Sequence, residues 1–84
     1  MNTELSKKAL SRLSILVAIN ALSERSRKVM ANGGYEMIVA ENAGWELMFL
    51  KKEKCENVLI TRERNLKSAP LPGTIVIWDQ TETT

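Results

Sequence analysis

The chain has 84 residues, of which 44% are hydrophobic and 26% charged, with a net charge of +2 and a single cysteine. This composition excludes a disordered chain, and one thiol cannot form an intramolecular disulfide. We therefore expect one cytoplasmic domain without a membrane span, because the most apolar run, residues 15–21, is far shorter than the ~20 residues that a span needs.

The first predicted element is a long helix over about residues 5–31. The segment Asn32-Gly33-Gly34 follows it and contains residues that tolerate a left-handed backbone, which predicts the end of the helix there. Residues 13–22 are apolar nearly all round the helix. This pattern indicates that the helix is covered on more than one side.

The rest of the chain alternates with a period of two, which is typical of β-strands. Strands are predicted over about residues 35–40, 45–50, 57–61 and 74–78, followed by a polar tail over 79–84. The predicted fold class is α+β: a long N-terminal helix packed on a four-stranded, mainly antiparallel sheet, in two layers.

One face of that predicted sheet is apolar without an element to cover it. Trp45 would face the helix, whereas the open face would carry the predicted partner-binding residues Ile38, Met48, Leu50, Val76 and Trp78. A contiguous exposed apolar patch usually marks a binding surface, so we expect another chain to cover it. Two alternatives remain: the helix folds back as two helices that cover both faces, or a strand has a different register.

Positive charge is concentrated at the start of the chain. Residues 1–31 carry six basic side chains against two acidic ones, a balance of +4, and the remainder carries −2. The basic residues that could contact phosphates or an acidic partner are Lys7, Lys8, Arg12, Arg25, Arg27 and Lys28. Such an uneven distribution favours an acidic partner, although a solvated helix face is the simpler alternative.

Catalytic and metal-binding signatures are missing from the sequence. It has no histidine, and Cys55 has no second thiol at metal-ligand spacing, so we expect a small packed residue there. We expect no cofactor, no metal and no small-molecule substrate. Tyr35, Arg62 and Arg64 are loosely similar to the catalytic groups of bacterial ribonuclease toxins, but the leading strand of such toxins is missing here.

These features predict a small non-enzymatic regulatory protein that binds another protein, either a second copy or a different target. Inhibitors, adaptors and co-repressors encoded by phages and plasmids are of this kind, and one version acts on a DNA-bound transcription factor, with nucleic acid contacted through the protein partner. The alternative is direct DNA or RNA binding through the basic helix. A small ribonuclease toxin is the third interpretation.

Overall fold

A computed structural model describes the backbone of residues 3–81 and the side chains of residues 10–81. The described residues form two helices and four strands, in the order α1 (Thr3–Arg25), β1 (Lys28–Met30), β2 (Glu36–Ala40), α2 (Gly44–Glu53), β3 (Val58–Thr61) and β4 (Ile75–Asp79). The α+β class and the four-stranded sheet are therefore confirmed. The last three residues of the predicted polar tail lie outside the described residues.

Helix α1 ends earlier than predicted, at Arg25, and the prediction that it continues to residue 31 is wrong. Its last backbone bond runs from the Ser26 N–H to the Leu22 carbonyl, at 2.8 Å. Residues 28–30 instead form β1, which pairs antiparallel with β2. Gly33 and Gly34 have φ of 98° and 80°, so they form the hairpin turn between two strands and do not terminate a helix.

The segment predicted as a strand over residues 45–50 is helix α2. Leu47 and Leu50 are spaced for one helix face and are buried, together with Glu46 in the first turn. Glutamate near the start and lysines in the last turn both suit the helix dipole. The helix closes at Lys54, whose left-handed backbone (φ 49°) lets its N–H reach the Leu50 carbonyl at 3.2 Å.

The strands lie in the order β1-β2-β4-β3. Only the β1–β2 pair is antiparallel; β2 with β4 and β4 with β3 are parallel. The prediction of a mainly antiparallel sheet is therefore wrong, and the sheet is mixed. The physical reason is that α2 after β2, and the connection over residues 62–74 after β3, each carry the chain back to the end of the sheet where the preceding strand began.

Both helices pack on the same face of the sheet. The core there joins Ala18 and Leu22 of α1 and Leu47 and Leu50 of α2 to sheet residues such as Ile77, which is fully buried. The two helices lie side by side: Ser11 Oγ donates to Glu53 Oε2 at one end of the pair, and Arg25 pairs with Glu46 at the other. The helices are thus antiparallel to each other.

The opposite sheet face is partly covered by the irregular connection between β3 and β4, residues 62–74. Leu66 in this connection packs against a cluster that includes Met37 and Val76, and its N–H donates to the Tyr35 hydroxyl at 3.1 Å. The Trp78 indole N–H donates to the Arg62 carbonyl at 3.2 Å. The expectation of an open face is therefore wrong at Val76, which is 1% exposed, whereas Leu59 on β3 lies on the same face and is 37% exposed.

Candidate protein-binding surface

Helix α1 has two apolar sides, of which only one packs against the sheet and α2. The inner side contains Ala18 and Leu22, with exposures of 0% and 1%, and the partly buried Ile15 and Ile19. These positions are three or four residues apart, which is the spacing of a single helix face. The helix is therefore anchored to the core through its C-terminal half.

The other side of α1 is exposed although it is equally apolar. Four side chains, which we call the α1 stripe, are exposed by about half or more: Leu10 64%, Leu13 59%, Leu16 57% and Val17 49%. Leu10, Leu13 and Val17 are spaced by three and four residues, so they follow one line along the helix. Exposed leucines scattered singly need no explanation, but a contiguous row of them does.

Helix α2 also presents large apolar groups to solvent. Trp45 is 55% exposed and Met48 is 73% exposed, and they are three residues apart on the helix. The Trp45 ring meets Phe49 edge-on, with centroids 6.2 Å apart and an interplanar angle of 68°. Phe49 packs against the core, so this contact orients the Trp45 ring while leaving about half of it accessible.

The first turns of α1 extend beyond the end of α2. Ser11 of α1 is bonded to Glu53, which is the last residue of α2, so the first turns of α1 lie past the neighbouring helix. The described chain is correspondingly elongated, with a longest dimension of 47 Å. Its radius of gyration is 13.7 Å, compared with ~12 Å for a compact domain of this length.

The five residues predicted to bind a partner do not form one surface. Ile38 is 7% exposed, and Leu50 and Val76 are 1% exposed each, so three of them are core residues. Met48 is exposed on α2. Trp78 is half-buried on the covered sheet face, where the Arg64 guanidinium lies 5.6 Å from its ring centroid.

Three of the predicted phosphate contacts are already paired with carboxylates. Arg25 pairs with the buried Glu46, Arg27 with Glu41 at 2.9 Å and Lys28 with Glu36 at 3.7 Å. Arg12 is exposed. The side chains of Lys7 and Lys8 lie outside the described residues. The described part of the basic group is therefore largely neutralised, which weakens its attraction for phosphates.

The carboxyl ends of β2 and β4 carry further ionic contacts. Asp79 is buried, and its carboxylate accepts from Lys51 at 2.7 Å and from the Thr81 backbone N–H at 3.0 Å. Burial raises the pKa of Asp79, but the hydrogen bonds from Lys51 and Thr81 outweigh it and leave the pKa below its ordinary value. This carboxylate therefore stabilises the fold as an anion, and Lys51 ties α2 to β4.

The cysteine shows no sign of activation in its surroundings. Cys55 is half-buried and packs against the core on the helix side. Burial raises the pKa of its thiol, and the nearby Glu53 carboxylate raises it further, while a backbone hydrogen bond lowers it. Since the thiolate is the nucleophilic form, these surroundings suit a packed structural residue.

A depression of about 480 Å³ lies where α1 and β2 end, lined by residues that include Leu22, Arg25, Arg27 and Glu41. Its size is in the range of small-molecule sites. The charges at its rim, however, are engaged with one another, because Arg25 pairs with Glu46 and Arg27 with Glu41. The α1 stripe has no comparable partner among the described residues, so it is the stronger candidate for a binding surface.

Sequence reasoning did not select the four residues of the α1 stripe or the exposed Trp45. A signal for the stripe was present, because residues 13–22 are apolar on more sides than one sheet can cover. No such signal marked Trp45, because its exposure depends on residues 45–50 being helical. The predicted residue Met48 is exposed, but on a helix instead of a sheet.

No protein-family model, curated protein or solved structure matches the chain. Among the helices that the structure describes, none combines the length and apolar character needed to cross a membrane.

Proposed function

We propose that the protein acts by binding another protein through the α1 stripe, assisted by Trp45 and Met48 on α2. The observation that carries the proposal is the exposure of four large apolar side chains on one side of α1, Leu10, Leu13, Leu16 and Val17, at 49% to 64%. Their role is non-enzymatic, as in an inhibitor, adaptor or co-repressor whose effect comes from occupying its target.

The energy available from this surface is large for so small a protein. Complete burial of a leucine or valine side chain contributes roughly 1.5 to 3 kcal/mol, so covering the exposed halves of four of them contributes about 3 to 6 kcal/mol. Trp45 and Met48 add to this sum, and tryptophan is among the residue types that most often dominate interface energies. Micromolar binding corresponds to about 8 kcal/mol, so the partner's own apolar groups, buried in the same contact, must add to this energy and offset the cost of association.

Direct nucleic-acid binding is less well supported than protein binding. Arg25, Arg27 and Lys28 each pair with a carboxylate, and a phosphate backbone would have to compete with those partners. The α1 stripe, in contrast, consists of leucine and valine side chains, which cannot donate a hydrogen bond to a phosphate. A regulatory role at a DNA-bound protein remains compatible with these contacts, because the protein target then supplies the apolar partner surface.

Site-specific photo-crosslinking in the cells that make the protein tests the proposal. A benzophenone amino acid is placed at Leu13 in one variant and at Leu71 in another, because Leu71 is also highly exposed, at 80%, but lies on the connection between β3 and β4. We expect discrete protein adducts from position 13 and none of the same mass from position 71. The absence of adducts at position 13, or an identical pattern at both positions, contradicts the proposal.

A further inference from the structure

We propose that residues 62–74, the connection between β3 and β4, act as a strap that opens as a unit while the rest of the fold stays intact. The closed strap hides the part of the sheet face that carries Met37, Val76 and Trp78, and opening uncovers it. This face lies on the side of the sheet away from the helices. The inference therefore goes beyond the proposed function and does not depend on the α1 stripe.

Few hydrogen bonds hold the strap to the sheet. Among the described residues, no backbone–backbone hydrogen bond joins residues 62–73 to the rest of the chain. Two bonds that involve a side chain fasten the strap instead: the Leu66 N–H donates to the Tyr35 hydroxyl at 3.1 Å, and the Trp78 indole N–H donates to the Arg62 carbonyl at 3.2 Å. Two such bonds contribute far less than the ladders that join β4 to both of its neighbouring strands.

The two arginines of the strap add contacts near its start. Arg62 Nη2 lies 3.9 Å from Asp79 Oδ2, and the Arg64 guanidinium lies 5.6 Å from the centroid of the Trp78 ring. Both arginines are exposed, so solvent screens these contacts. They therefore add little to the energy that holds the strap closed.

One leucine anchors the middle of the strap. Leu66 packs against the cluster that includes Met37 and Val76. Within residues 62–73, only Leu66 and Pro70 are partly buried, and the other residues are exposed. Segments with few buried apolar contacts and an exposed backbone open at a lower free energy than the core of a protein. The strap therefore meets the physical conditions for local opening.

The two faces of the sheet are held by separate sets of apolar contacts. Apart from Leu66, the cluster under the strap lies on or beside β1, β2 and β4 and includes no residue of α1 or α2. The core on the helix side joins both helices to sheet residues such as Ile77 and includes no residue of the strap. Opening the strap therefore leaves the contacts between the helices and the sheet in place.

Local turns fix both ends of the strap. The Glu63 N–H donates to the Thr61 hydroxyl at 3.0 Å, and the Thr74 N–H donates to the Leu71 carbonyl at 3.1 Å. Beyond these turns, β3 and β4 are paired directly with each other. The strands therefore stay together when the strap opens, and residues 64–70 are the part that moves.

The closed strap leaves one border of the face accessible. Leu59, Val76 and Met37 lie side by side across β3, β4 and β2, since Val76 is the register partner of both others. Leu59 is 37% exposed, whereas Val76 and Met37 are 1% and 0% exposed. Opening extends the exposed border at Leu59 across the sheet. The open state thus presents a contiguous apolar surface that the closed state lacks.

Thiol labelling of two neighbouring residues of β4 tests the inference. In a Cys55→Ser background, Val76→Cys places a thiol under the strap and Ile77→Cys places one under the helices, at positions that are 1% and 0% exposed. With an excess of an aromatic disulfide reagent, Val76→Cys should react about a hundredfold faster, because the strap opens more often than the whole fold. Ile77→Cys removes more buried apolar volume, which accelerates the control and works against the expected difference.

Two further measurements identify the strap as the part that moves. Leu66→Ala should raise the labelling rate of Val76→Cys about tenfold, whereas Leu71→Ala, at an 80% exposed position of the same strap, should change it by less than about twofold. Low concentrations of urea should accelerate the labelling of Ile77→Cys more steeply than that of Val76→Cys. The reason is that local opening exposes less surface than unfolding does.

Amide hydrogen exchange of the unmodified protein gives the same comparison without any substitution. The Leu66 N–H, bonded to Tyr35, should exchange about a hundredfold faster than the Ile77 N–H in the centre of β4. This measurement decides the question if Ile77→Cys fails to fold.

Any of four results overturns the inference. These are equal labelling rates at positions 76 and 77, the same urea dependence at both positions, no effect of Leu66→Ala, and equal exchange of the Leu66 and Ile77 amides. None of them bears on the α1 stripe, whose partner is tested separately by photo-crosslinking.

Discussion

Two apolar surfaces of this protein differ in their exposure to solvent: one is buried and the other is exposed. The sheet face that carries Met37 and Val76 has no helix over it, yet both residues are 0% to 1% exposed. The outer side of α1 belongs to the layer that forms the core, yet Leu13 and Leu16 are more than half exposed. Both surfaces are apolar, so their place in the fold, and not their residue types, decides which of them is buried.

The comparison shows that a covering element need not be regular. The connection over residues 62–74 is mostly polar, but Leu66 packs against the sheet and its backbone N–H is bonded to Tyr35. Trp78 is held in the same way by the Arg62 carbonyl. No element of the described chain passes over the outer side of α1 in this manner, so Leu10, Leu13 and Leu16 stay more than half exposed.

The largest expected effect comes from removing a residue under the covering connection. Met37→Ala should lower the free energy of unfolding by about 2 to 5 kcal/mol, because Met37 is fully buried and its loss leaves a cavity. Urea denaturation followed by far-ultraviolet circular dichroism measures it. A loss below about 1 kcal/mol would show that the connection does not seal this face in solution.

The two tryptophans extend the comparison of the two surfaces to single side chains. Trp78→Ala should lower the free energy of unfolding by about 2 to 3 kcal/mol, because it removes a half-buried ring and the hydrogen bond to the Arg62 carbonyl. Trp45→Ala should cost less than about 1 kcal/mol, because the ring is 55% exposed. Thermal and urea unfolding of both variants give the difference, and equal losses contradict the placement of Trp45 outside the core.

Asp79 joins the helical layer to the sheet, and its contribution depends on pH. Asp79→Asn should cost about 1 to 3 kcal/mol near neutral pH, because Lys51 loses a charged acceptor. The folded-state pKa of Asp79 is lowered, so its contribution is complete above the unfolded value of about 4 and is lost as the pH falls through the folded value.

Urea denaturation of the wild type and of Asp79→Asn at a series of pH values checks this dependence. The difference in unfolding free energy between the two proteins should stay constant above about pH 5 and shrink in more acidic solution. A difference that grows on acidification has the wrong sign and excludes the Lys51 contact as its cause. Other carboxylates titrate in both proteins, so their effects largely cancel in the comparison.

The smallest expected effect lies on the outer side of α1. Leu16→Ala, measured by urea denaturation, should change the free energy of unfolding by no more than about 0.5 kcal/mol. Leu16 is 57% exposed and contributes to α1 mainly through its helix propensity, which alanine matches. A cost like that of Met37→Ala would place Leu16 in the core of the single chain.

Local patterns predicted some elements and misled on others. Strands β2 and β3 lie within the predicted segments 35–40 and 57–61, and β4 overlaps 74–78, because alternation and β-branched residues are strong local signals. Residues 45–50 are apolar on both faces, and a short run of this kind is ambiguous between a strand and a buried helix. The hairpin turn at Gly33 and Gly34 was mistaken for a helix end, since both need positive φ.

The partner-binding prediction depended on these local errors. Because residues 45–50 form a helix and not a strand, Leu50 lies in the core and Trp45 is exposed. Likewise, Ile38 lies on the helix side of the sheet, where it contributes to the core. The α1 stripe itself was within reach of sequence reasoning, but only as one of several apolar sides of the same helix.

The amino-acid sequence alone determined that the chain carries more apolar surface than a helix and a sheet can bury, and that residues 13–23 are free of charge. The tertiary structure decided which part of that apolar surface remains exposed to solvent. Helix and strand periods are set by neighbours a few residues away, whereas strand order and the path of residues 62–74 depend on contacts between distant segments. Because those contacts compete for the same apolar faces, only the folded chain shows that the outer side of α1 is left over.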